Sequence, residues 1–225
     1  MLFQLLQVVA TTASTSTTAK DISLWDLTLK GGWVMIPIAA CSIIAVYVII
    51  ERLLTLKKSN KDPVKFLENI KSMMYDGDIK GAIAQCKAFD TPFSRMVEKG
   101  ISKIGTPIQN IEASIENVAK MEVYKLERNV SVLATMAGLG PMLGFFGTVT
   151  GMVNAFMAIA QVEGAVTPGM LANGMYEAMV TTVAGLIVGI VALVGYNLVV
   201  SRIDSIVQKM EYASIEFMEL LQQPK

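Results

Sequence analysis

From Arg128 to Arg202 the chain contains no Lys or Arg between these two residues, and only two acids, Glu163 and Glu177. A charge-poor stretch of that length is too apolar for a soluble helical hairpin, and it is long enough for two bilayer crossings of about 20 residues each. It is also rich in Gly and Thr, which a purely lipid-facing helix does not need. Such a stretch reads as two closely packed membrane helices that line something polar.

The rest of the chain fits that class. Hydrophobic residues make up 53%, mean hydropathy is +0.51 and the net charge is zero. The charges are segregated, with 14 of the 19 Lys and Arg between Glu51 and Arg128. There is no His, which removes the commonest metal ligand and the usual neutral-pH proton relay. Cys41 lies in an apolar run and Cys86 in a charged region, so both are expected to pack rather than to form a disulfide or a metal site. No phosphate-binding loop, nucleophile elbow or dinucleotide glycine pattern occurs. The chain is expected not to be an enzyme, with no catalytic residues, no metal, no cofactor and no nucleic-acid partner.

The expected architecture is an all-α membrane protein with three transmembrane helices and long cytoplasmic helical extensions. Residues 1–30 read as a periplasmic N-terminal tail with a short amphipathic segment. The apolar start carries no Lys or Arg before it and is interrupted by Gln4 and Gln7, which argues against a cleaved signal peptide. Transmembrane helix 1 is placed at 31–54, with Trp25 and Trp33 near its start and Pro37 in its first turns. Residues 55–128 read as a cytoplasmic helical region. Asp62-Pro63 and Thr106-Pro107 mark helix starts, and Asp76-Gly77-Asp78 marks a turn. The helix after Thr106 has no evident stop signal and is expected to run on into the membrane. Transmembrane helix 2 is placed at 129–161, a short periplasmic connection at 162–174, transmembrane helix 3 at 175–201 and a cytoplasmic C-terminal helix at 202–225.

Orientation follows from Lys and Arg, which favour the cytoplasmic side. Arg52, Lys57, Lys58, Lys61 and Lys65 follow span one, Lys120, Lys125 and Arg128 precede span two, and Arg202 and Lys209 follow span three. The second connection has none. The N-terminus is therefore expected outside and the C-terminus in the cytoplasm.

At about 100° per residue, small residues fall on one face of each of the last two spans. In span two these are Gly140, Gly144, Gly147, Thr148, Gly151 and Ala155. In span three they are Ala178, Thr181, Thr182, Gly185, Gly189, Ala192 and Tyr196. Such stripes let backbones approach closely, so Gly144, Gly147, Gly151, Gly185 and Gly189 read as packing residues that hold helices, and an oligomer, together. A lone Thr in a span often bonds only its own backbone, but here Thr148, Thr181 and Thr182 share the small-residue faces. Glu177 lies one turn from Thr181, and an ionisable group in or near a span marks a functional site by default. No titratable group lies at the centre of either span. If protons cross here, a partner must bring the carrier, and this chain forms a shell around it.

These residues resemble the proton-channel family of ExbB, TolQ and MotA, and ExbB within it most of all. Gly32-Trp-Val-Met-Ile-Pro-Ile and Ile49-Ile50-Glu51-Arg52-Leu53 look like the family's first helix and its exit. Pro141-Met-Leu-Gly144-Phe-Phe-Gly147-Thr148-Val149-Thr-Gly151-Met152 is similar to its P-x-x-G-L-x-G-T-V-x-G-M signature. Glu177-Ala178-Met-Val-Thr-Thr182-Val-Ala-Gly185-Leu186 matches its E-A-L-x-x-T-x-x-G-L pattern. Val191 stands where the family commonly has Pro, which implies a straighter third helix, and two adjacent threonines leave open whether Thr181 or Thr182 faces the pore.

The resemblance implies a homopentameric ring in the bacterial inner membrane, surrounding ExbD-like helices whose Asp is the carrier. A TonB-like protein would pass the work to outer-membrane transport, with the proton as the ion. Thr148 and Thr182 match the family's polar pore residues and Glu177 its pore-end acid. Two other readings stand: a TolQ-like envelope-integrity motor, and a passive oligomeric scaffold or channel in contact with membrane lipid.

Overall fold

The computed structural model describes residues 31–161 and 168–222. The expected tail at 1–30 lies outside the described residues, as do 162–167 of the expected connection at 162–174 and the last three residues; the connection is shorter than expected, because 168–174 is already helical. Among the described residues there is helix and no strand. The helices are α1 (Met35–Ser59), α2 (Val64–Tyr75), α3 (Ile79–Phe89), α4 (Pro92–Ile101), α5 (Ile108–Glu127), α6 (Val130–Ala160) and α7 (Pro168–Gln222). Three helical stretches are long and apolar enough to cross a membrane, and they contain α1, α6 and the first half of α7. At 55 residues, α7 far exceeds the roughly 20 that a crossing requires. It is a single continuous helix through Val191, where no Pro interrupts it.

The chain divides into two compact units. One comprises Met1–Pro37 and Leu143–Ala184; the other comprises Ile38–Met142 and Gly185–Lys225.

The second unit holds the large core. Leu56 of α1, Phe66 and Ile70 of α2, Cys86 of α3, Phe93 and Val97 of α4, Ile115 of α5, and Ile206, Met210 and Phe217 of α7 are all buried in it. Phe66, Phe89 and Phe93 form an aromatic cluster with centroids 4.9 to 5.7 Å apart, within the range that favours edge and tilted contacts. Local chemistry sets the short helices. Asp62 accepts a hydrogen bond from the Val64 amide (3.0 Å) at the start of α2. Gly77 takes φ +77° in the turn before α3, and Asp78 caps α3 by accepting from Gly81 N at 2.9 Å. Thr91 and Ser94 form a reciprocal capping box at α4, with Pro92 at its first position.

One expectation is corrected. The helix that begins after Thr106 does not continue into the membrane unbroken. α5 stops at Glu127, Arg128 is extended (φ −51°, ψ 135°) and Asn129 is left-handed (φ 63°) before α6 begins. Asn is among the few residues that tolerate that conformation, so the stop signal was a single residue inside an otherwise helical pattern.

Both cysteines are free and buried, as expected. Cys86 is fully enclosed, and burial, followed by the charge of Glu98, pushes its thiol up to about 12. It is packing, not a reactive group.

Candidate functional site: a hydroxyl pair in a glycine-lined helix seam

Within the first unit, α6 and α7 meet through their small residues. A Cβ on Gly144 would lie 3.1 Å from both Thr181 O and Thr182 Cα, and one on Gly151 would lie 3.0 Å from Gly174 O. A Cβ on Gly147 would be 2.6 Å from Thr181 Cβ. Within the second unit, a Cβ on Gly140 would lie 2.9 Å from both Gly185 O and Gly189 N. Gly189 also accommodates Pro141. As proline has no N–H, Pro141 cannot donate to Ala137 O, and both its ring and that carbonyl lie where a side chain on Gly189 would be. The five expected packing glycines therefore act inside one chain, where they let two backbones touch.

The seam places the threonines differently. Thr148 Oγ1 and Thr182 Oγ1 are in direct hydrogen-bond contact across it. Thr182 also donates to Gly144 O (3.2 Å) or to Ala178 O (3.1 Å), and Thr148 to Gly144 O (3.2 Å) or Ala178 O (3.4 Å). Two hydroxyls thus share two backbone carbonyls, one from each helix. Both threonines are half-buried. Thr181 is fully buried, and its hydroxyl bonds only carbonyls of its own helix, Glu177 O (3.2 Å) and Ala178 O (2.9 Å). The pair is Thr148 with Thr182, and Thr181 stands apart from it.

Glu177 lies one turn before Thr181 on α7 and is half-buried. Its carboxylate lies over Gly32, where an added Cβ would collide with Oε1. Gly32 also has φ +65°, so two independent constraints require glycine there. Beside it, Trp33 meets Phe146 edge-on at 6.0 Å between centroids. The turn at Gly31-Gly32 is therefore part of the setting of Glu177. Sequence reasoning missed this contact; the signal was a Gly pair immediately before a span, which is more than a helix start requires.

An ion cluster around the buried Glu122 lies in the second unit. Glu122 of α5 is held by Arg95 of α4 and by Lys125, both at 2.6 Å, and Arg95 also reaches Asp90. Burial opposes ionisation of Glu122, but the hydrogen bonds and charges of Arg95 and Lys125 outweigh it and hold the carboxyl below its usual range. Burial likewise opposes the charge on Arg95, and Glu122 with Asp90 outweighs that too. This cluster fastens α4 to α5.

The geometry defines a multi-pass membrane protein whose apolar helices pair through glycines and carry hydroxyls, not charges, at their contact. The sequence from residue 88 to residue 212, more than half of the chain, matches the MotA/TolQ/ExbB proton channel family, and the protein belongs to that family. It is 28% identical over 184 residues to a putative biopolymer transport protein ExbB homolog of Methanothermobacter thermautotrophicus, across 81% of this chain and 64% of that one. It is 33% identical over 129 residues to the Tol-Pal system protein TolQ of Haemophilus influenzae, across 57% and 56%. A putative ExbB-like protein of Synechocystis is 28% identical over 172 residues, across 75% and 81%. The chain thus spans less than two thirds of the length of the first two of these relatives.

Proposed function

We propose that this protein is the shell subunit of a proton-driven motor of the TonB–ExbB–ExbD kind. It would sit in the bacterial inner membrane with its N-terminus periplasmic and its C-terminus cytoplasmic. Several copies, five by resemblance, would enclose the transmembrane segment of an ExbD-like subunit, and a TonB-like protein would carry the work to outer-membrane transport. The Thr148–Thr182 pair carries this reading. Two hydroxyls sharing two carbonyls can donate or accept by rotating, so they can order water or hydrogen-bond a partner's carboxylate without holding a charge themselves. Neither apolar span has a titrating group near its middle, so the proton carrier belongs to the partner. Glu177, on its glycine turn, would act at the end of the path.

The likeness to TolQ supports a second reading, the same machine serving envelope integrity. Neighbouring genes separate the two.

The test replaces both hydroxyls by methyls. Thr148→Val, Thr182→Val keeps the shape of the seam. Energy-dependent uptake through an outer-membrane receptor is expected to fall at least about tenfold, the equivalent of about 1.4 kcal/mol, while the amount of complex in the membrane is unchanged. Full uptake in the double variant would return both residues to packing.

A further inference from the structure

The second unit contains a cavity of about 370 Å³ lined by Leu53, Leu56, Lys57 and Asn60 of α1 and by Arg202 of α7. It lies where both helices pass from apolar to charged sequence: Arg52 and Lys57 follow the first span, and Arg202 follows the third. On the membrane side of it, Ile50 and Leu198 are more than half exposed. On the other side, Lys209 donates to Asn60 Oδ1 at 2.5 Å, which engages that oxygen and leaves the Asn60 amide N–H groups as donors.

The charges in this cavity are unbalanced. Lys57 and Arg202 are exposed, and among the described residues neither is in an ion pair. The nearest acid along α1, Glu51, is engaged by Arg52 through two hydrogen bonds of 2.6 and 2.9 Å. On α7, Asp204 lines a different cavity, with Glu127. A guanidinium, an ammonium and an amide therefore converge on one opening, beside Leu53 and Leu56 and below exposed apolar helix faces. A purely solvated basic surface would have no such apolar wall, and a protein-packing site would have a counter-ion.

We infer that this cavity binds the phosphodiester headgroup of an anionic phospholipid, with the acyl chains lying along Ile50 and Leu198. Basic pockets between membrane helices at the charged boundary recognise such headgroups, and the planar guanidinium suits a phosphate's paired oxygens. The volume is within the span of small-molecule sites, about 300–1,000 Å³. The inference rests on the bilayer crossing and not on the motor reading, so failure of one leaves the other standing.

Purified full-length protein in detergent is titrated with phosphatidylglycerol and the adducts are followed by native mass spectrometry. Circular dichroism and oligomer mass are taken first for each variant. Saturable binding is expected, weakened roughly tenfold or more in Lys57→Gln, Arg202→Gln. Phosphatidylcholine should bind as weakly as phosphatidylglycerol does to that variant. Lys58→Gln, Lys65→Gln, which removes two exposed charges outside the cavity, should bind like the wild type. If Arg202→Gln disturbs the fold, Lys57→Gln with Arg202→Lys replaces it and should bind severalfold more weakly than wild type. Undiminished binding in the cavity variants, or an equal loss in the control pair, would overturn the site. Displacement of the lipid by an equal concentration of inorganic phosphate would overturn the assignment to a lipid.

Discussion

At the residue scale, the two adjacent threonines of α7 do different work although their side chains are the same. Successive residues on a helix point about 100° apart, so one hydroxyl reaches across the seam to Thr148 and the other is turned back onto its own turn. A Thr that bonds only its own backbone contributes little through its hydroxyl. Thr181→Val should therefore retain uptake within about twofold of wild type, in contrast to Thr148→Val or Thr182→Val. The measurement is the same energy-dependent uptake, normalised to protein in the membrane. A loss in Thr181→Val as deep as in the other two would mean that volume at the seam, not hydroxyl chemistry, limits the function.

At the element scale, the ion cluster decides how firmly α4 is held to α5. Glu122 has its folded-state pKa lowered from 4.5, so the charge contributes stability above that unfolded value and loses it as pH falls through the folded one. Glu122→Gln should lower the apparent Tm in detergent at pH 7, by the equivalent of about 0.5–1.5 kcal/mol, because the partners Arg95 and Lys125 are part-exposed and water takes up some of the lost contact. As pH falls below 4.5 the difference from wild type should begin to shrink, because the unfolded chain then takes up a proton that the folded carboxyl resists. A Tm difference of the same size at pH 7 and pH 4 would show that shape, and not charge, matters at this position. The break between α5 and α6 belongs to this scale too. Helical periodicity runs across it, so pattern alone gives a continuous helix; one left-handed Asn decides otherwise.

At the scale of the whole molecule, the burial of Cys86 decides which positions can report the topology. Cys86 is enclosed and its thiol is pushed up to about 12, so the native cysteine would resist labelling on either side of a membrane. In a Cys86→Ala background, Lys103→Cys and Val166→Cys supply the probes instead, Lys103 being exposed. A membrane-impermeant maleimide added from outside should label position 166 and leave position 103 unlabelled until the membrane is opened. Labelling at 103 in sealed cells, with none at 166, would invert the orientation read from Lys and Arg.

How much of this was legible in the sequence depends on the range of the interaction concerned. Apolar length, charge segregation and caps are local or compositional, so the three apolar helices, the start at Asp62, the turn at Asp76-Gly77-Asp78 and the small-residue faces could all be read from residues near one another in the chain. The family resemblance was legible for a similar reason, because its signatures are short runs within α6 and α7. The partner of each small face was not legible. Periodicity puts Gly144 and Gly185 on stripes, but only tertiary contact shows that the stripes of α6 and α7 face each other within one chain. The same holds for the pairing of Thr148 with Thr182, the packing of Thr181 on Gly147, the glycine turn beneath Glu177 and the lining of one cavity by Lys57 and Arg202. Each of these joins residues far apart in sequence. The side-chain types allow the contact, but which atoms meet is set by how the helices pack.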